Sequence, residues 1–129
     1  IKKGDLDPYI TSIEKQVNTF YISKGMVMAM LSINTDFYEE KISNWCPCEY
    51  LTTIAVSKKF RRKGIARKLY ENAFEFAQGS ESKKLVTRTW SSNHSHPLLA
   101  ESIGLKEIFR IKNHRGPELD TVYLGIKFD

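Results

Sequence analysis

Cysteine is nearly absent from this chain of 129 residues: Cys46 and Cys48 are the only two, one residue apart. Two thiols make no disulfide framework, and a bridge across a single residue would be strained, so the pair reads as reduced and the protein as cytoplasmic. No apolar run approaches the ~18 residues that a membrane-spanning helix needs, and no membrane partner is expected. Repeats, low-complexity tracts and Pro/Gly/Ser-rich linkers are missing, which leaves one domain over 1–129. The opening Ile1-Lys2-Lys3-Gly4-Asp5 lacks the charged-then-apolar layout of a secretory signal. Neither Gly-x-x-x-x-Gly-Lys-Ser/Thr nor Gly-x-Gly-x-x-Gly occurs, so two common phosphate cradles are excluded. Acidic residues are the minority charge, 15 against 20 basic, and the net +5 favours an anionic partner: nucleic acid, an acidic substrate or a phosphate-bearing cofactor.

What is present is enough apolar material, 41% of residues, to bury a core at this length. The spacing of Tyr9, Ile10 and Ile13 predicts a short helix over Tyr9 to Lys15. Asn18–Ser23 and Met26–Asn34 read as strands closed by the Lys24-Gly25 turn, with Met26, Met28 and Met30 expected on one core face. Asp36–Pro47 reads as a loop and Tyr50–Val56 as a third strand. Ile65, Ala66, Leu69, Tyr70, Ala73, Phe74 and Ala77 recur at three- and four-residue steps, which is a helix with an apolar face. Leu85–Trp90 is a strand, and Ser95–Ile103 a helix with Ser95 as cap and Gly104 as stop. Leu105–Lys112 and Thr121–Phe128 are closing strands, with Trp90 and Phe109 expected in the core. A strand, helix, strand crossover implies parallel pairing at its centre, and the hairpins imply antiparallel pairing elsewhere. The fold class is therefore α/β with a mixed sheet.

The chemistry concentrates in Val56-Ser57-Lys58-Lys59-Phe60-Arg61-Arg62-Lys63-Gly64-Ile65-Ala66, where seven of the eleven residues from Lys58 to Lys68 are basic. A strand ends at Val56 and a helix begins near Gly64. Backbone N–H groups of a first helical turn have no partner, and the helix dipole is positive there. A glycine at that point lets a ligand approach the backbone. Free amides, dipole and cations together form an anion cradle suited to phosphate.

This hexapeptide, Arg61-Arg62-Lys63-Gly64-Ile65-Ala66, resembles the Arg/Gln-x-x-Gly-x-Gly/Ala signature of the GNAT superfamily of N-acetyltransferases, with Val56 five residues before it and Phe60 just ahead. Asn93 followed eleven residues later by Gly104-Leu105 matches a second family element. The resemblance covers about Tyr50 to Leu105. It implies a central, partly splayed mixed sheet flanked by helices on both faces, with the family's first strand and helix shortened or lying before Ile1. It implies acetyl-CoA as cosubstrate, its pyrophosphate held by Arg61, Arg62, Lys63, Gly64, Ile65, Ala66 and Arg67. Ile54, Ala55 and Val56 would meet the pantetheine, and Asn93 would complete the site. The family's usual Tyr, seven residues after that Asn, is Ala100 here, and acidic residues common along the preceding strand are Thr52 and Thr53.

The reaction implied is direct attack of a primary amine, on a small molecule or a peptide, at the thioester. The amine must lose a proton first. Glu49 is the candidate base, with Glu39 and Glu40 as alternatives. Ser95, His94, His96 and Tyr123 are candidate acids, and the Val56 N–H a candidate oxyanion donor. Cys46/Cys48 and His94/His96 are too far apart and too tightly spaced to read as a zinc site, so no metal is expected. Two other readings share these residues: an acyl-CoA-binding domain without catalysis, and a basic nucleic-acid-binding module. The second is disfavoured because no paired aromatics stack beside the charges, as single-strand binding would want. The acceptor is unspecified, and the sequence leaves open whether the domain pairs as a homodimer.

Overall fold

The computed structural model describes residues 16–62, 64–91 and 95–129; the helix expected over Tyr9 to Lys15 lies outside them. Six strands form one sheet in the order β1-β2-β3-β4-β6-β5. In chain order these are β1 (Gln16–Ser23), β2 (Met26–Phe37), β3 (Cys48–Val56), β4 (Lys84–Trp90), β5 (Lys106–Ile111) and β6 (Thr121–Lys127), with helix α1 (Ile65–Gln78) between β3 and β4 and α2 (Ser95–Ser102) between β4 and β5. Among the described strands only β3 and β4 pair in parallel, as the crossover through α1 requires. The hairpin joining β1 and β2 turns on Lys24 (φ 51°) and Gly25 (φ 76°), both left-handed, the backbone that a two-residue loop needs to match strand twist.

α1 exists because its apolar stripe has somewhere to go. Ile65, Leu69, Tyr70, Ala73 and Ala77 are buried against Leu31, Ile33, Leu51, Leu85 and Leu124 of the sheet. α2 packs on the same face through Leu99 and Ala100. It ends at Gly104 (φ 116°), where the Leu105 N–H donates to the Ala100 carbonyl at 3.0 Å. The opposite face carries Cys48, Tyr50, Val86 and Tyr123, covered by the 3₁₀ segment Glu40–Trp45 through its buried Ile42. The sheet is thus mixed and flanked by helical segments on both faces, as expected. Among the described residues no helix is long and apolar enough to cross a membrane.

Three expectations are corrected. The segment read as a loop from Asp36 begins inside β2 and contains the 3₁₀ segment, because Phe37 stacks on Tyr50 (centroids 4.0 Å apart) and Ile42 is buried. The core face of β2 is Ala29, Leu31 and Ile33, not the methionines: Met26 is 49% exposed, and Met28 reaches the core because a bulge shifts it between the pairs Tyr21↔Ala29 and Ile22↔Val27. Trp90 and Phe109 are 40% and 37% exposed, since Trp90 ends β4 and Phe109 lies on the edge strand β5, both on the face away from α1 and beyond the cover of the 3₁₀ segment. That cover is held by Trp45, whose ring lies over Gly125 with Lys127 Nζ 4.7 Å from its centroid. A Cβ on Gly125 would sit 3.0 Å from Trp45 Cζ3 and 3.2 Å from Ile108 Cδ1. Gly125→Val is expected to cost about 1–3 kcal/mol by overpacking and to lower Tm by roughly 5–10 °C in a thermal melt.

Candidate active site

Parallel pairing of β3 and β4 stops at Leu51↔Thr87, although β3 runs on to Val56 and β4 to Trp90. The two strands therefore part. The Thr87 hydroxyl donates to the Leu51 carbonyl at 3.1 Å and closes the ladder at the fork. A bulge marks the same point on β3: Ser32 pairs with Thr53 and Ile33 with Leu51, so Thr52 has no partner in the register. The extra residue turns Ile54 and Val56 onto the α1 face, where they join the core cluster beside Leu51. Past the fork, β3 amides aimed at β4 have no ladder partner.

The opening between the strands is a groove of about 930 Å³, lined by Leu51 to Val56, Thr87 to Trp90, Arg61, Arg62, Ala66, Tyr70, Leu99 and Arg115. A second hollow of about 340 Å³ adjoins it at the start of α1, bounded by Phe60, Gly64, Ile65 and Arg67 together with five residues shared with the groove. Gly64 caps α1 in a left-handed conformation (φ 76°) and no side chain caps the helix. The first hydrogen bond recorded for its start is Lys68 N–H to the Gly64 carbonyl at 3.2 Å, which leaves the amides of Ile65, Ala66 and Arg67 turned outward. Among the described residues, Gly64's chain neighbours aside, nothing lies within 4 Å of where a Gly64 Cβ would stand. Arg62 is also left-handed (φ 63°), and Arg61 Nε donates to the Val56 carbonyl at 3.2 Å, tying the loop to the end of β3. The hollow is thus a helix mouth with outward amides and flanking arginines, the arrangement suited to an anion, and it opens directly into the forked sheet.

Of the sequence-predicted cofactor residues, Ile54, Ala55, Val56, Arg61, Arg62, Gly64, Ile65, Ala66 and Arg67 all line one or both hollows. Lys63, Asn93 and His94 lie outside the described residues, as do the side chains of Ser95 and His96. Ala100 is fully buried in the core, so its position offers the groove no side chain. Glu49 and Tyr123 do not line the groove. Glu49 is 1% exposed on the α1 side of β3, below the fork, with Oε1 3.5 Å from Ser82 Oγ and no partner for Oε2 among the described residues. Tyr123 is buried on β6 directly across from Arg88, and it meets the groove only through that arginine. Glu39 is half-buried on the opposite face and accepts from the Lys41 amide, away from the groove lining.

Sequence reasoning missed Tyr70, Arg88, Trp90 and Arg115 as groove walls. Tyr70 was legible only as one more apolar position of α1, yet it forms part of the groove floor; burial pushes its hydroxyl well above the usual phenol range, so it stays protonated. Arg88 and Trp90 carried a usable signal: polar and aromatic residues at the carboxyl end of a strand that follows a crossover, the place where open α/β sheets bind ligands. Cys46 and Cys48 are free, their sulfurs 4.0 Å apart, and burial pushes the Cys48 thiol up to about 12.

The fold and site together define a forked mixed sheet with a cationic helix mouth at its opening. The acetyltransferase (GNAT) family model matches residues 15–104, and the chain belongs to this family. Similar solved structures include a GNAT family acetyltransferase from Elizabethkingia anophelis with acetyl-CoA bound (21% identity, TM-score 0.74, covering 98% of this chain and 84% of that one). NAA60 of Arabidopsis thaliana in complex with a bisubstrate analogue is similar at 12% identity and TM-score 0.77, with 98% and 83% covered. The ribosomal-protein-S18-alanine N-acetyltransferase of Escherichia coli is similar at 19% identity and TM-score 0.73, with 94% and 75% covered. No protein of curated function matches the chain in sequence.

Proposed function

We propose that this protein transfers the acetyl group of acetyl-CoA to a primary amine by direct attack. The observation that carries the reading is the continuity of the helix mouth with the fork: five residues line both hollows, so a diphosphate held at α1 has an open path into the gap between β3 and β4. The Elizabethkingia relative binds acetyl-CoA, which supports the same ligand here. Acetyl-CoA supplies a thioester whose acyl carbon the amine attacks; the C–N bond forms, the C–S bond breaks, sulfur leaves as thiolate and the surplus proton on nitrogen passes to water.

The chain's own residues grip and orient. Amides at the start of α1, with Arg61, Arg62 and Arg67, neutralise the diphosphate. Ile54 and Val56 flank the pantetheine arm. A β3 amide facing the gap, the Val56 N–H among the candidates, donates to the carbonyl oxygen as negative charge develops on it. Among the described residues that line the groove none is a carboxylate or histidine. Glu49 is sealed from the groove, so no described side chain takes the amine proton, and the acceptor reacts as the free amine already present in solution.

That sets the pH dependence. A simple alkylamine titrates near 10.4, so its neutral fraction rises about tenfold per pH unit below that value. At subsaturating amine and saturating acetyl-CoA, kcat/KM is expected to rise with a slope near one from pH 6 to 9 in a thiol-release assay. A plateau below pH 8 would identify a dedicated base among residues outside the described set. Acetyl-CoA binding by calorimetry without thiol release from any amine would leave a CoA-binding domain and overturn the transfer reading.

A further inference from the structure

The forked groove has two sides, and they differ in charge chemistry. On the α1 side stand the helix mouth, Tyr70 and the buried Thr87 and Thr89. On the opposite side, alternation along β4 turns out Arg88 and Trp90, which share the face of Val86 and Tyr123. Arg115, from the β5–β6 loop, lies over the Trp90 ring with its guanidinium carbon 3.9 Å from the centroid. A ligand gripped at α1 fills the groove from the first side, so a second reactant meets the gap from the side of Arg88, Trp90 and Arg115.

Neither of these two arginines is in an ion pair among the described residues; Arg88 faces Tyr50 and Tyr123 on this side, and Glu39 is the one carboxylate whose charge reaches it, without lining the groove. Arg110 nearby is the contrast, paired with both Glu107 and Asp120 at 2.7 Å. The Arg115 loop is also built to stay in place. Asp120 accepts from the Asn113 amide at 2.9 Å and from Arg110, two contacts that hold its carboxyl below the usual carboxylate range. Asn113 Oδ1 accepts from the Glu118 amide at 2.8 Å, and the Arg115 N–H donates to the Leu119 carbonyl at 3.0 Å. A groove side with two unpaired guanidiniums, one of them fixed on an indole, and no lining carboxylate repels a polycation and attracts an oxyanion.

Resting on the acetyl-transfer reading, we propose that the acceptor is a primary amine that also carries an anionic group, carboxylate or phosphate, held by Arg88 and Arg115 while its amine reaches the thioester. The test compares kcat/KM at saturating acetyl-CoA for β-alanine, its carboxamide, O-phosphoethanolamine, ethanolamine and 1,3-diaminopropane, each corrected for its free-amine fraction. The expected result is a preference of at least about tenfold for an anionic amine over its neutral counterpart, the size of one charge-assisted contact. The β-alanine and phosphoethanolamine arms tell carboxylate from phosphate.

Arg115→Gln and Arg88→Gln should each bring that ratio towards one through KM. Arg115→Glu should reverse it in favour of the diamine, a gain that misfolding cannot produce. Equal use of neutral and anionic amines by the wild type overturns the inference while leaving acetyl transfer intact. So does a ratio that survives all three substitutions, or an equal loss for every acceptor that tracks weakened acetyl-CoA binding in calorimetry. Failure to acetylate any amine overturns both readings together.

Discussion

Arg62→Glu combined with Gly64→Val is expected to weaken acetyl-CoA binding by at least about 100-fold in calorimetry, close to 3 kcal/mol. The two changes act on different parts of the cradle. Gly64 caps α1 at φ 76° with open space where a Cβ would project. A Cβ there projects into open space among the described residues, so the side chain would stand where a ligand reaches the Ile65, Ala66 and Arg67 amides. A β-branched residue held left-handed adds about 1–2 kcal/mol of strain, small enough for the helix to survive. Arg62 lines both hollows and is exposed, so charge reversal replaces attraction for the diphosphate by repulsion without disturbing the core. Gly64→Ala alone should lose less, because its methyl is smaller and its strain lower. Retained affinity in a double variant with normal far-UV CD would show that the diphosphate sits elsewhere and would remove the basis of the functional assignment.

The parts of this site that the sequence discloses are those made by consecutive residues. The cradle depends on a loop, a glycine and the first turn of a helix, all within Val56 to Arg67, so its chemistry is written in one stretch. The core stripe of α1 is legible for the same reason: a three- and four-residue recurrence has one physical meaning when five of its positions are buried. The fork is different. Where the β3–β4 ladder stops depends on which residue of β3 is left out of register with β2, and the bulge at Thr52 has no glycine or proline to announce it. That one shift decides which side of the sheet Ile54 and Val56 face. Glu49 is a candidate base in the sequence only as a carboxylate at the entrance of the central strand, yet its strand position points it to α1 and Ser82. The Arg115 wall is assembled from a loop and a strand 25 residues apart and fixed by Asp120, a contact that no local pattern encodes. The methionine stripe failed for a related reason, since a bulge between β1 and β2 changes the face of the strand partway along.

Leu69→Ala carries the largest expected effect on stability and separates the core from the cradle. Leu69 is fully buried between α1 and the sheet, and it lines neither hollow. Its truncation is expected to cost about 2–5 kcal/mol, transfer plus cavity, out of roughly 5–15 kcal/mol for a domain of this kind. A fall in Tm of about 10 °C or more follows for a chain this long. Acetyl-CoA at 100 times its Kd returns about 2.7 kcal/mol to any variant whose cradle is intact. The ligand-induced rise in Tm should therefore be the same in Leu69→Ala as in the wild type. Tyr70→Ala removes an equally buried side chain one residue on, but that ring is also groove wall. Its melt should fall by a similar amount while recovering less with acetyl-CoA, because the pantetheine loses a contact surface along with the core. Equal recovery in both variants would place the pantetheine away from Tyr70. Loss of recovery in Leu69→Ala alone would mean that the first turn of α1 holds its amides in place only when the core beneath it is fully packed.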